Sequence, residues 1–371
     1  MKKNNLLLRG LVYLWIGIFI LSLPGFLDAK KATPQSVVYP GAQWEYFADP
    51  TQAGFSLRGL QEVVDYTRTL KTTGMVVVVD GKILMEYGNV TELSYLASAR
   101  KSVLSMLYGK YVANGTIKLN KTLGELKIKY HSELTPQEQE ATIEDLLNTS
   151  SGVYLPASNF SGVNEPLPER GSKKHGEYWF YNNWDFNVLG TIFEQETKQD
   201  IYDALEKDLA IPIQMQDFDR KAQEKSGDAE QSIHLAYHIW LSTRDMARLG
   251  YLMLRNGKWN DKQLIPEDWV KKSTSALTPM EKLNPAGANR GWFGYGYLWW
   301  VFTGPKAIGP YEGGYTAMGA YGQYIAVFPK VNMVIAHKTK PESGQVGGTG
   351  ILTIIEKLFA ARTPESQKKG K

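Results

Sequence analysis

The 371-residue sequence has no cysteine. That excludes disulfides, thiolate metal sites, a cysteine nucleophile and a lipid-modified N-terminal cysteine. A chain this long buries enough core to do without cross-links. Histidine is scarce, and His131, His175, His234, His238 and His337 match no metal-ligand spacing such as H-E-x-x-H. His234 and His238 could share a helix face at i, i+4, but no carboxylate ligand accompanies them. An excess of one charge is missing too. The net charge of +4 gives no electrostatic case for nucleic acid, and the "QKKGK" tail reads as a solvated end. No G-x-S-x-G elbow occurs, "GSKKHGEY" lacks the lysine that closes a phosphate-binding loop, and "GQVGGTG" reads as a flexible loop. Internal repeats are absent.

One long apolar run exists, "LVYLWIGIFILSLPGF", between basic "MKKNNLLLRG" and "LDAKK" with small Ala29. That is the three-part pattern of a secretory signal. The run is about 16 residues, short of the roughly 20 that span a bilayer. Residues 1–29 are therefore expected to be a signal peptide, with an uncleaved anchor as the alternative. The protein is expected in the periplasm or outside the cell, and a membrane is a partner only if the segment is retained. Five sequons, starting at Asn89, Asn114, Asn120, Asn148 and Asn159, would matter only in a glycosylating host and read as chance.

At 43% hydrophobic and 22% charged, the remainder is globular. Residues 30–54 read as a linker, 55–362 as one domain and 363–371 as a polar tail. Within the domain, a sheet part (55–90 and 290–362) flanks a mostly helical part (91–289). Helical spacing marks 57–71, 182–197, 242–258 and 349–362, with a short helix in 142–153. In 242–258, Ser242 or Thr243 suits the N-cap and Gly257 the C-terminal stop. "GMVVVVDGKILMEYG" predicts a hairpin around Asp80-Gly81, and 293–302, 320–329 and 332–339 predict strands. The order predicts an α+β fold: one antiparallel sheet of about five strands, covered by the terminal helices.

Three stretches can carry chemistry. In "YLASARKSVLSMLYGKY", Ser98 and Lys101 stand at i, i+3 where a long helix is expected to open, so their heads can meet. Amides at a helix start stabilise negative charge, and a desolvated lysine there loses basicity. A neutral amine can then accept the serine proton. A plain N-cap explains Ser98 equally well. In "FYNNWDFNVLG", Tyr181 and Asn183 precede a helix at i, i+2: a phenol able to act as acid or base, and an amide able to hold a carbonyl. A core tyrosine and a capping asparagine are the plainer reading. In "YEGGYTAMGAYGQYIAVFP", Gly313, Gly314, Gly319 and Gly322 sit where a strand begins, consistent with close backbone approach and an oxyanion-binding amide, or with a bulge and a turn.

These three stretches, in this order, resemble the serine β-lactamase and penicillin-binding protein superfamily. The likeness is to the class C β-lactamase-related hydrolases, which include esterases, D-aminopeptidases and 6-aminohexanoate-dimer hydrolases. It spans about residues 55 to 360. Ser98-Ala99-Arg100-Lys101 matches S-x-x-K, and Tyr181-Asn182-Asn183 matches Y-x-N. "TIEDLLNTSSG" resembles "TIxDLLxHTSG", with Asn148 and Thr149 where a His-Thr pair is common. "LSTRDMARLGYLMLRNGKW" and "YGYLWW" resemble further family segments. The third motif departs. Penicillin-recognising members carry K-T-G or H-x-G, whereas this chain reads "AMGAYGQ", similar to the nylon-oligomer-hydrolase branch. "HKT" at 337–339 comes too late, at the far end of the next strand.

The resemblance implies a serine hydrolase that needs no metal or cofactor. Ser98 is then the nucleophile, Lys101 and Tyr181 the general base and acid, and Asn183 a substrate- or lysine-orienting amide. The Ala320 backbone amide, beside Gly319 at the substrate, is then the second oxyanion donor. The missing cation favours small esters or amides over β-lactams and D-Ala-D-Ala peptides. The alternatives are a β-lactamase or D-Ala-D-Ala peptidase-type penicillin-recognising enzyme, or a non-catalytic wall-binding or sensing protein with the same fold. The aromatic run "GWFGYGYLWW" either walls an apolar cleft or packs the core.

Overall fold

Two strands with a type I′ style turn begin the sheet. Gly74–Val79 (β1) and Lys82–Gly88 (β2) pair antiparallel across Asp80 and Gly81, both left-handed with φ of 51° and 86°. Such a turn matches the natural twist of a hairpin, and its φ values suit an Asp-Gly pair. The sheet is completed from the C-terminal third by Phe293–Tyr295 (β3), Trp300–Phe302 (β4), Tyr315–Gly319 (β5), Gln323–Phe328 (β6) and Met333–Lys338 (β7). The strand order is β2-β1-β7-β6-β5-β4-β3, and every pairing is antiparallel.

This is a computed structural model describing residues 37–159, 166–285 and 291–363. The described residues belong to one compact unit, Val37–Lys371. The expected signal or anchor, and all but the first residue of the polar tail, lie outside them. Among the described residues no helix is long and apolar enough to cross a membrane.

The sheet has hydrophobic cover on both sides, which is why β1 is apolar at every position. Met75, Val77 and Val79 join Leu60, Val63, Ile351, Ile355 and Leu358 from Leu57–Arg68 (α1) and Gly348–Ala360 (α6). Val76 and Val78 face the opposite core, with Arg100–Ala113 (α2), Ile143–Leu147 (α3), Asn183–Thr197 (α4) and Thr243–Leu254 (α5). Ser242 is the N-cap of α5, its hydroxyl accepting from the Asp245 amide at 3.2 Å. At the other end of α5 the Gly257 amide donates to the Leu252 carbonyl at 2.9 Å.

Seven strands form where five are expected. The run 293–302 folds back on itself, because Leu298 adopts a φ of 64° between β3 and β4. The glycine-rich stretch supplies β5, and β6 starts at Gln323 rather than Ala320. Tyr321 and Gly322, with φ of 67° and 104°, cannot continue an extended strand. Helix α2 also starts later than expected. Ala97–Ala99 form a 3₁₀ turn and the α-helix begins at Arg100, so Ser98 sits in the tighter turn before it.

Helix α5 crosses the sheet at Gly250, where an added Cβ would fall 2.4 Å from Val334 Cγ1 and 2.9 Å from Ile325 Cγ2. Overpacking of this kind costs about 1–3 kcal/mol. Gly250→Val should therefore lower the free energy of unfolding by that amount, read in urea denaturation as a lower midpoint at an unchanged slope.

Candidate active site

The Ser98 turn is reached through a short ribbon, Ser94–Tyr95 paired with Trp240–Leu241. Lys338, at the end of β7, holds this ribbon from beneath. Its buried Nζ donates to the carbonyls of Leu241, of Ser94 at 3.3 Å and of Glu92 at 3.5 Å. Burial pulls the Lys338 pKa down to about 7. The "HKT" stretch thus ends the neighbouring strand and props the ribbon. The next turn places Ala97 in the left-handed region, φ 48°, and leaves Ser98 half-buried. Helix α2 has Ala99 at its N-cap with no side-chain cap, so Ser98 is not a capping serine.

The Ser98 hydroxyl meets Lys101 instead. Lys101 is 2% exposed, and its Nζ lies 3.0 Å from Ser98 Oγ, 2.7 Å from Tyr181 OH and 2.9 Å from Asn183 Oδ1. The same nitrogen sits 4.2 Å from the Tyr181 ring centroid and 4.1 Å from that of Phe186. Burial, helped by the Arg100 charge next to it, holds the Lys101 pKa well below its ordinary 10.5.

Tyr181 and Asn183 are presented by the start of α4. The capping residue there is Asn182: its Oδ1 accepts from the Trp184 amide at 3.1 Å. This frees Asn183 to face Lys101. Below them lies a platform that the three motifs do not announce. Asn182 Nδ2 donates to Val153 O at 2.7 Å and Asp185 Oδ1 at 2.9 Å, and Ser151 Oγ donates to the same Asp185 oxygen at 2.7 Å. The Thr149 hydroxyl donates to Phe180 O at 2.5 Å and accepts from the Asn182 amide at 3.2 Å. Burial raises the Asp185 pKa well above a normal carboxyl. The only hint in the sequence was the "NTSSG" segment, which anchors the "FYNN" loop to the end of α3.

The third stretch comes alongside. A Cβ added at Gly319, the last residue of β5, would lie 2.5 Å from Leu96 O, 3.0 Å from Ala99 N and 3.0 Å from Gln323 Cβ. Only glycine lets the strand lie against the Ser98 turn. Ala320 follows in the turn 320–322 and is exposed. His337 Nδ1 donates to Gly322 O at 2.7 Å, and the Val346 amide donates to Tyr321 O at 2.9 Å. His337 Nε2 lies 2.8 Å from Thr72 Oγ1, from which it accepts. Burial pulls the His337 pKa down to about 4, so this support stays neutral at ordinary pH. Two residues before Gly319, on the same sheet face, stands the fully buried Ala317. No cation occupies that position.

All six predicted positions therefore converge on one end of the sheet. Gly313 and Gly314 lie at the other end of β5 and take no part. Of the aromatic run, Tyr295, Tyr297 and Trp299 are core, and half-buried Trp300 stacks on Tyr181 with centroids 5.9 Å apart. His234 and His238 share no helix face, because Ala236–His238 is a strand. The two His234 ring nitrogens lie at hydrogen-bonding distance from Lys129 O and Thr191 Oγ1, 2.7 and 3.0 Å. Among the described residues no cluster of histidines and carboxylates is placed to hold a metal.

The fold and its likeness to known proteins define a serine hydrolase of the β-lactamase and penicillin-binding protein type. The chain belongs to the Beta-lactamase family, whose model matches residues 60–344. An uncharacterized protein of Alkalihalophilus pseudofirmus is 26% identical over 65% of this chain and 71% of its own. A Bacillus anthracis structure assigned as a 6-aminohexanoate-dimer hydrolase superposes with a TM-score of 0.62 at 20% identity, covering 87% of this chain and 88% of that one. A penicillin-binding protein from Bacillus halodurans gives 0.60 at 15%, covering 80% and 100%. EstCE1, a hydrolase with promiscuous acyltransferase activity, gives 0.57 at 13%, covering 84% and 98%. At these identities the solved structures establish the fold.

The tight approach at Gly319 gives a test separate from the polar groups. Gly319→Val should slow acylation of the protein by an active-serine probe at least about ten-fold, since small misplacements near the reacting atoms are costly.

Proposed function

We propose that the protein cleaves an ester or small amide through an acyl-enzyme on Ser98. The observation that carries this is the Lys101 Nζ, placed within 3.0 Å of Ser98 Oγ, Tyr181 OH and Asn183 Oδ1 at once. A buried amine with a lowered pKa is neutral more often than that of an ordinary lysine, and in that form its lone pair can take the serine proton. Ser98 Oγ then bonds to the substrate carbonyl carbon as its proton passes to Lys101, directly or through Tyr181. The backbone amides of Ser98 and Ala320 stabilise the tetrahedral oxyanion. Collapse breaks the carbonyl-to-leaving-group bond, and Tyr181, resupplied by Lys101, protonates the departing oxygen or nitrogen. Water repeats the sequence on the acyl-enzyme, releasing the acid and free Ser98. Asn183 fixes the lysine in the orientation this requires.

The preference for neutral esters and small amides rests on Ala317. No lysine or histidine stands at that position to receive a β-lactam or peptide carboxylate. The resemblance to a structure assigned as a hydrolase of a short linear amide supports the same choice. Half-buried Trp300, stacked on Tyr181, offers an apolar wall beside the reacting atoms. We further propose, on the N-terminal sequence pattern alone, that the enzyme is exported.

Intact mass after treatment with a fluorophosphonate should show one adduct on the wild type and none on Ser98→Ala. Lys101→Met and Tyr181→Phe should each lower turnover of simple esters by roughly 10²–10⁴. Since acylation needs Lys101 unprotonated, the rate should fall as pH drops through its lowered pKa and reach a plateau above it. In a panel of esters, linear amides, β-lactams and D-Ala-D-Ala peptides, neutral esters or amides should be the best substrates. A β-lactam as the best substrate would overturn the assignment of specificity, and a wild type that neither labels nor turns over would overturn the enzyme assignment.

A further inference from the structure

Arg100 stands between Ser98 and Lys101 in the chain and is 1% exposed. Its partners are weak and neutral. Nη1 donates to Ala97 O at 3.3 Å, Nη2 donates to Asn187 Oδ1 at 3.4 Å, and the guanidinium lies 5.1 Å from the Tyr237 ring centroid. Its buried Nε has no hydrogen-bond partner. Among the described residues no carboxylate lies within ion-pair distance of it. Arg170 and Arg244, by contrast, are each paired with a carboxylate, Glu138 and Asp217. A buried, unneutralised guanidinium is costly, so its presence beside the reacting groups calls for a role.

The groups around it identify that role. Tyr95 on the ribbon, Tyr202, and Tyr237 and His238 on one strand are its titratable neighbours, besides Lys101 on its own helix. The tyrosines are held neutral by burial, and His238 is held near 4 by burial and by the Arg100 charge. Among the described residues the hydrogen-bond and ring partners of the Lys101 amine are Ser98, Tyr181, Asn183 and Phe186. Among the described residues no carboxylate lies within ion-pair distance of either cation, and the Arg100 charge adds to burial in disfavouring the Lys101 ammonium. Arginine keeps its proton at any attainable pH, and the lysine must yield.

Arg100 Nη2 and Lys101 Nζ donate to Asn187 and Asn183, which stand one turn apart on one face of α4. We propose that Arg100 is a positioning residue for charge: its guanidinium, held one helical turn from the buried Lys101 amine, biases that amine towards the form that accepts the Ser98 proton. This rests on the Ser98–Lys101 chemistry proposed above. A purely structural Arg100, holding the left-handed Ala97 turn through its carbonyl, would alter the rate equally at every pH.

The test is the fluorophosphonate labelling rate of Ser98 across pH in the wild type, Arg100→Met, Arg100→Lys and Asn187→Asp. In Arg100→Met the acidic limb should move to higher pH by about one unit, which is a ten-fold slower reaction at a pH below the limb. Arg100→Lys keeps the charge and should keep the wild-type midpoint. Asn187→Asp leaves the guanidinium in place and gives it a counter-charge, so its limb should also move upward. That variant carries the test if Arg100→Met does not fold. Midpoints unchanged in the folded neutralising variants, whatever their plateau rates, would overturn the role of Arg100 while leaving the Ser98 chemistry standing. No labelling of the wild type at any pH would instead remove the chemistry on which it rests.

Discussion

The site is organised around one nitrogen. Lys101 Nζ touches Ser98, Tyr181 and Asn183 together, and these come from two helix starts some eighty positions apart in sequence. A buried lysine is expensive, and here it is satisfied by two hydroxyls, an amide oxygen and two aromatic faces rather than by a carboxylate. Those partners accept it charged or neutral. A carboxylate partner would have fixed it as an ammonium. The poise of the amine between its two states is what the surrounding structure maintains.

The frame holds that nitrogen from three sides. The sheet provides β5, which lies against the Ser98 turn because Gly319 has no side chain to keep it away. Lys338 fixes the ribbon that enters the turn, and neutral His337 fixes the turn that leaves β5. Under the other wall, the buried Thr149, Ser151, Asn182 and Asp185 network locks the loop carrying Tyr181. Satisfied buried polar networks of this kind specify a single arrangement, which a site with short hydrogen-bonding distances requires.

Much of this was readable in the sequence, and the rest had physical reasons not to be. The β-rich runs around Asp80-Gly81 located the hairpin, and helical spacing located the terminal helices, α4 and α5, because turn chemistry and the spacing of apolar residues are local signals. The S-x-x-K, Y-x-N and glycine-rich stretches identified the six positions that meet. Periodicity could not show that Leu298 folds one aromatic run into two strands, nor that Tyr321 and Gly322 delay β6. Both depend on single left-handed residues. The 3₁₀ turn at Ser98 was hidden for the same reason, since Ala97 is not a residue type that signals positive φ. Asp185 and Arg100 carry no motif signal of their own. Only tertiary burial turns one into a raised carboxyl and the other into an unpaired cation.

The ionisation of Lys101 itself decides between this account and one in which the lysine is a fixed structural cation. It can be followed by the ¹⁵Nζ resonance of lysine-labelled protein across pH, assigned by its loss in Lys101→Met. The account predicts that this one nitrogen changes from ammonium to amine at a pH well below the ordinary lysine value of 10.5. A Lys101 that stays an ammonium until the surface lysines titrate would contradict it.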